Sequence, residues 1–260
     1  MIPIPGFKIS LIYYPFFEWN VREANDIKSA LESFGNKVFL HLADHDLIYN
    51  LRKQPLDLVF NLTRNPAGTV FDYTISAICE LLEITLIGPK VFTASVCRDK
   101  ETLALILKHD GIPIIDRLDS SKFPHYVQVF LIESTAPLFF IKPSSKMKID
   151  SQAEEKIKQL CKKIFQSLHC SNFCGFDIYL EQNLNPFLLK VDILPNLEKI
   201  ADFASSVKNT KGIDYNKFIN LIVLNAASRA NLPITGPYLS LLASFKSAPP
   251  GKSNAGPVEL

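Results

Sequence analysis

The sequence predicts an α/β chain: a parallel sheet with helical crossovers in the first 90 residues, then a second domain that ends in a pair of adjacent strands. Three observations predict it. Apolar runs alternate with segments whose apolar residues recur at helical spacing. Two late apolar strands each carry one acidic residue. The composition, 47% hydrophobic and 21% charged over 260 residues, is that of a globular chain able to bury a sizeable core.

The first region alternates cleanly. Residues 8–14 (KISLIYY) form a buried-strand run. Residues 20–34 place Val21, Ala24, Ile27, Ala30, Leu31 and Phe34 on one helical face, and Gly35 stops the helix. Residues 37–41 predict a second strand, and Asp44 is positioned to cap a short helix through Arg52. Residues 56–62 predict a third strand, residues 69–82 a helix and residues 84–87 a fourth strand. Strands separated by helices imply right-handed crossovers and a Rossmann-like parallel sheet. The loops after its strand C-termini, residues 15–19, 44–45 and 63–68, would form the crevice.

The second region opens with residues 92–96 and a helix over 99–107 whose acidic first turn suits the helix dipole. Residues 126–132 and 138–141 read as strands. Residues 152–168 are an amphipathic helix with Ile157, Leu160, Cys161, Ile164 and Leu168 facing inward. The acidic strand pair follows: residues 174–180 with Asp177, a polar turn, and residues 186–195 with Asp192. Residues 214–231 predict a closing helix. From Pro233 periodicity is lost, and residues 247–257 have the composition of a disordered tail. The expected domains are therefore 1–90, 91–232 and an irregular segment 233–260.

Several function classes are disfavoured. The net charge of +2 comes without a basic block interleaved with aromatics, so nucleic acid is not expected. No apolar run approaches a membrane span, and the N-terminus lacks the pattern of a signal peptide. Five scattered cysteines are expected to be reduced, packed thiols of a cytoplasmic protein. No Gly-x-Gly-x-x-Gly follows the first strand, where Tyr14-Pro15-Phe16-Phe17 stands instead.

Two acids on neighbouring apolar strands suggest a Mg²⁺–phosphate site, since carboxylates removed from water need a cation. Lys190, two residues before Asp192, points to the same sheet face. The competing reading is an Asp177–Lys190–Asp192 ion network with no metal.

The ordered set of segments resembles the ATP-grasp superfamily, most closely the D-alanine–D-alanine ligase group. Residues 74–88 (TISAICELLEITLIG) resemble that family's "LLELLGIPYTG" segment, and residues 93–113 its "ALAMDK…LKAAGIP" segment. Residues 153–180 resemble its "AEKIQELALKAYKALGCRGYARVDFFL" segment, and residues 187–195 its "YVLEVNTLP". Gly212-Ile213-Asp214-Tyr215 resembles its "GISY". The resemblance implies a Rossmann-like domain followed by a reduced ATP-grasp domain. It implies ATP and Mg²⁺ as cofactors, an amino acid or peptide substrate, ligation of carboxylate to amine through an acyl phosphate, and a homodimer. By position, Lys100 and Lys142 match nucleotide lysines, and Asp177 and Asp192 the metal ligands.

The chain departs from that family at four places. Lys190 stands where relatives have a glutamate, and Asp192 where they have an asparagine. Only 13 residues separate Lys142 from Lys156, where relatives carry a lid subdomain with a glycine-rich phosphate loop. Ser144-Ser145-Lys146 begins like that loop but lacks glycine. Residues 137–145 also fit the strand just before the amphipathic helix, in which case Lys142 is not the nucleotide lysine. The family's substrate loop is replaced by residues 65–69, with Glu18 and Glu23 the nearest acids, and Asn196 follows Leu194-Pro195 in place of glycine. A catalytically inactive relative acting as a binding module is the alternative expectation.

Overall fold

A computed structural model describes residues 6–64, 71–115, 126–134, 136–143, 149–181, 183, 185–201, 204, 207 and 212–246. The first sheet has the order β2–β1–β3–β4 and is parallel throughout. Its strands are β1 (Lys8–Tyr13), β2 (Lys37–Leu42), β3 (Leu58–Asn61) and β4 (Thr85–Ile87). The crossovers are α1 (Glu18–Glu32), α2 (Leu47–Arg52) and α3 (Phe71–Leu81). Helix α1 buries Ala24, Ile27, Ala30 and Leu31, and the chain leaves it through Gly35 at φ 79°, a conformation glycine adopts without strain. Asp44 does not cap α2. Its carboxylate accepts from the Asp46 amide at 3.0 Å, a local turn that competes with capping, and α2 starts without a side-chain cap.

Two short helices follow, α4 (Val91–Arg98) and α5 (Lys100–His109). Asp99 caps α5 by accepting from the Glu101 and Thr102 amides. The second sheet has the order β6–β5–β7–β8 and is antiparallel throughout. Its strands are β5 (Tyr126–Ile132), β6 (Leu138–Pro143), β7 (Phe173–Leu180) and β8 (Pro186–Asp192). Between β6 and β7 runs α6 (Ser151–Ser167), capped by Asp150.

The two faces of this sheet have different partners. Val127, Val129, Leu131, Phe176 and Ile178 pack against Leu107 of α5 and Ile157, Leu160 and Ile164 of α6. On the opposite face, Phe130, Ile132, Phe140 and Phe173 join Phe218 and Ile222 of α7 (Tyr215–Arg229) and Phe60 of the parallel sheet. Phe130 is the hub, with ring centroids 5.6 Å from Phe218, 5.8 Å from Phe173 and 6.4 Å from Phe140. Each such buried ring contributes about 1.5–3 kcal/mol. The outer half of that face carries polar residues instead.

The segment after Pro233, expected to be irregular, contains helix α8 (Pro237–Lys246). Its run YLSLLASF is apolar nearly all round, so no amphipathic stripe marks it. Tyr238 and Leu241 are 1% and 4% exposed in the core shared with α1 and α7. The tail after residue 246 lies outside the described residues.

Candidate functional site

Strand register assembles the site. Gln128 of β5 stands opposite Lys142 of β6 on one side and Asp177 of β7 on the other, and Asp177 stands opposite Lys190 of β8. Directly opposed residues share a face, so Lys142, Gln128, Asp177 and Lys190 form one row across the sheet. Three strand spacings separate its ends, about 14 Å. Asp192 is on the same face, two residues beyond Lys190 and opposite Gly175. A register shift between Asp177 and Ile178 leaves Leu189 as the extra residue of β8, so Lys190 rather than Leu189 meets Asp177.

The row is open. Lys190 is 60% exposed at its side chain and Asp192 38%. The Lys190 ammonium lies 3.6 Å from Asp192 Oδ2, a loose ion pair beyond hydrogen-bonding distance. Asp177 is half-buried. Loss of water holds its carboxyl above the usual carboxylate range, while the Lys190 charge and a hydrogen bond from Gln128 pull it down and Asp192 pushes it up again. The buried ion network is therefore corrected: the acids and the lysine meet, but at the surface of an open face.

These residues do not fit the Mg²⁺ that the sequence resemblance implies. Mg²⁺ takes six oxygen ligands, held by carboxylates, waters and phosphates. Here two carboxylates are present, one already paired with an ammonium. A divalent ion and an ammonium 4 Å apart repel by roughly 8 kcal/mol at an effective dielectric of 20. Among the described residues, no group of three or more His, Cys, Asp or Glu side chains could hold a metal ion.

The other expected residues disperse. Lys100 is exposed at the start of α5, the helix on the opposite face of the sheet, and no described contact ties it to the row. Strand β6 pairs with β5, and the register brings Lys142 into the row. Ser144-Ser145-Lys146 and residues 65–69 lie outside the described residues.

Glu18 is 89% exposed at its side chain and pairs with Arg22 at 2.9 Å. Glu23 is fully engaged. It pairs with Arg64 at 2.5 Å, accepts from the Leu197 amide at 2.7 Å and from Asn20 at 3.2 Å, and is 1% exposed. It ties α1 to the loop after β8 and has no surface left for a ligand amine. Arg64 also lies over the Trp19 ring at 4.7 Å, and that ring stacks on Phe17. His41 is held by Ser10 at 2.7 Å within the parallel sheet, and burial lowers its pKa. All five thiols are free, and burial pushes Cys79, Cys97, Cys161 and Cys174 up in pKa. Gln128 was missed from sequence. The signal was there: it is the one non-aromatic polar residue in the apolar run YVQVFLI.

Comparison with known proteins agrees with this fold. Residues 119–224 match the family model described as D-ala D-ala ligase C-terminus. D-alanine–D-alanine ligase B of Clostridium perfringens is 23% identical over 134 residues, covering 52% of this chain and 42% of the relative. D-alanine–D-alanine ligase of Wigglesworthia glossinidia brevipalpis is 30% identical over 77 residues, 30% of this chain and 22% of the relative. The matched stretch thus spans less than half the length of either curated relative.

Among solved structures, the Bacillus anthracis D-alanine–D-alanine ligase complexed with ATP superposes with a TM-score of 0.71 at 14% identity, covering 87% of this chain and 99% of that one. The Coxiella burnetii D-alanine–D-alanine ligase gives 0.71 at 12% identity, covering 94% and 99%. The fold is that of the D-alanine–D-alanine ligases. Over residues 119–224 the chain is also similar in sequence to the C-terminal part of those ligases.

Proposed function

We propose that this chain is a non-catalytic D-alanine–D-alanine ligase-like protein, a cytoplasmic binding module that keeps the ATP-grasp fold without Mg²⁺-dependent ligase chemistry. One observation carries the reading: Lys190 stands in the row beside Asp177 and is ion-paired with Asp192. Acyl-phosphate formation from ATP needs cations that offset charge on the transferring phosphoryl group. An ammonium on a strand face supplies one positive charge but no coordination geometry. Five free thiols support the cytoplasmic setting.

The second reading is an ATP-dependent carboxylate–amine ligase acting on an amino acid or peptide, with a single Mg²⁺ between Asp177 and Asp192. It is favoured by Asp177, whose carboxylate makes no ion pair among the described residues and faces an open surface. ADP release from Mg²⁺–ATP in the presence of D-alanine separates the two. The first reading expects release at the level of a no-protein control. Turnover that depends on both Mg²⁺ and the amino acid overturns it.

A further inference from the structure

The mismatch between these side chains and Mg²⁺ has its own chemistry. Lys190 lies where a cation is wanted, on the open half of the sheet, and its ammonium has three donors. At 3.6 Å the contact with Asp192 is an ion pair that leaves those donors outside hydrogen-bonding distance of the carboxylate. The side chain is 60% exposed, so its charge is presented outward. Lys142 closes the other end of the row. Asp177 accepts from Gln128 on one side, so the row has a lysine at each end and one acid between them, with Asp192 beside Lys190.

We propose that Lys190 is a tethered substitute for the metal, and that the row Lys142–Gln128–Asp177–Lys190 binds a phosphate-bearing ligand without a divalent cation. This rests on the reading of a site without Mg²⁺. Lysine binds phosphate as a point charge, with no demand for the octahedral shell that Mg²⁺ requires. Asp192 then acts as the counter-charge that holds the ammonium over the strand when no ligand is present. The row recognises the phosphate. Whether a nucleoside is read as well depends on contacts beyond it.

Isothermal titration calorimetry with pyrophosphate and with ATP, each in EDTA and each in Mg²⁺, tests the proposal. Binding of either probe in EDTA, no weaker than in Mg²⁺, is expected. Equal affinity for the two probes identifies phosphate alone as the ligand, and a preference for ATP identifies a nucleotide. Lys190→Ala should weaken binding in EDTA at least about tenfold, the loss of one charge-assisted contact. Lys190→Glu should abolish binding in EDTA and restore it only with Mg²⁺, because three carboxylates then face one another. Lys190 is exposed, so neither substitution threatens the fold, and thermal unfolding without ligand verifies this. Lys217→Ala, which removes an exposed lysine on α7, should bind like the wild type and controls for net charge.

Binding that requires Mg²⁺, no binding of either probe in either buffer, or unchanged binding by Lys190→Ala overturns the proposal. The ADP-release assay is independent of it. Turnover in Mg²⁺ would remove the non-catalytic reading, whereas the titrations in EDTA read the Lys190 site alone.

Discussion

Asp177 shows how one residue's surroundings set the character of the site. It is held between Gln128 and Lys190 on a face that excludes part of its water, and the desolvation outweighs the lysine. Its folded-state pKa is therefore above the ordinary value of 3.8. Between these two values the folded protein holds the proton that the unfolded chain has released. Stability contributed by this group consequently falls as pH rises through that window. Asp177→Asn removes the effect. Relative to wild type, the variant should gain stability as pH rises from below 3.8 towards neutrality, measured by urea unfolding across a pH series. A constant difference between the two proteins would contradict the placement of Asp177. Glu23, also raised but locked to Arg64, contributes a fall of the same sign in both proteins and cancels from the comparison.

Helix α8 illustrates what an element gains from distant partners. Its Tyr238 hydroxyl accepts from Asn36 Nδ2 at 2.8 Å and donates to Asn220 Oδ1 at 2.5 Å. Asn220 in turn donates to the Ala30 carbonyl at 2.9 Å. Three elements far apart in sequence meet in one buried polar knot beneath the Phe7 and Phe34 rings. Tyr238→Phe keeps the ring and removes two buried hydrogen bonds, leaving the direct Asn36 Nδ2–Asn220 Oδ1 contact at 3.2 Å. It should cost about 1–3 kcal/mol, read from the urea midpoint. The knot also explains why the helix was invisible in the sequence. Its stabilising contacts are non-local, and an all-round apolar stretch carries no period. By contrast α1, α5 and α6 were legible, because stripes such as Ile157, Leu160 and Ile164, and caps such as Asp99 and Asp150, lie within the elements they mark.

At the scale of the molecule, the two sheets are joined at a short seam. The Ser171 hydroxyl donates to the Gly88 carbonyl at 3.0 Å, and Asn172 Nδ2 donates to the Leu86 and Gly88 carbonyls at 3.1 and 3.3 Å. Asn172 holds a φ of 66°, which asparagine tolerates better than alanine. Asn172→Ala removes both bonds and keeps the unfavourable backbone. A loss of about 2–4 kcal/mol is expected. Because Phe60 of the parallel sheet and Phe130 and Phe173 of the antiparallel sheet share one core, unfolding should stay a single transition. Separate transitions in circular dichroism and tyrosine fluorescence would show that the seam alone couples the halves. By itself the sequence determined the alternation of strands and helices, the acidic strand pair and the presence of Lys190 beside it, because periodicity and local spacing are properties of neighbouring residues. Only the tertiary structure decided that Gln128 and Lys142 join that pair, that Glu23 is consumed in holding α1 to the β8 loop, and that the acids lie on an open face. Those facts depend on strand register and on burial by distant elements, and neither is written in any one segment.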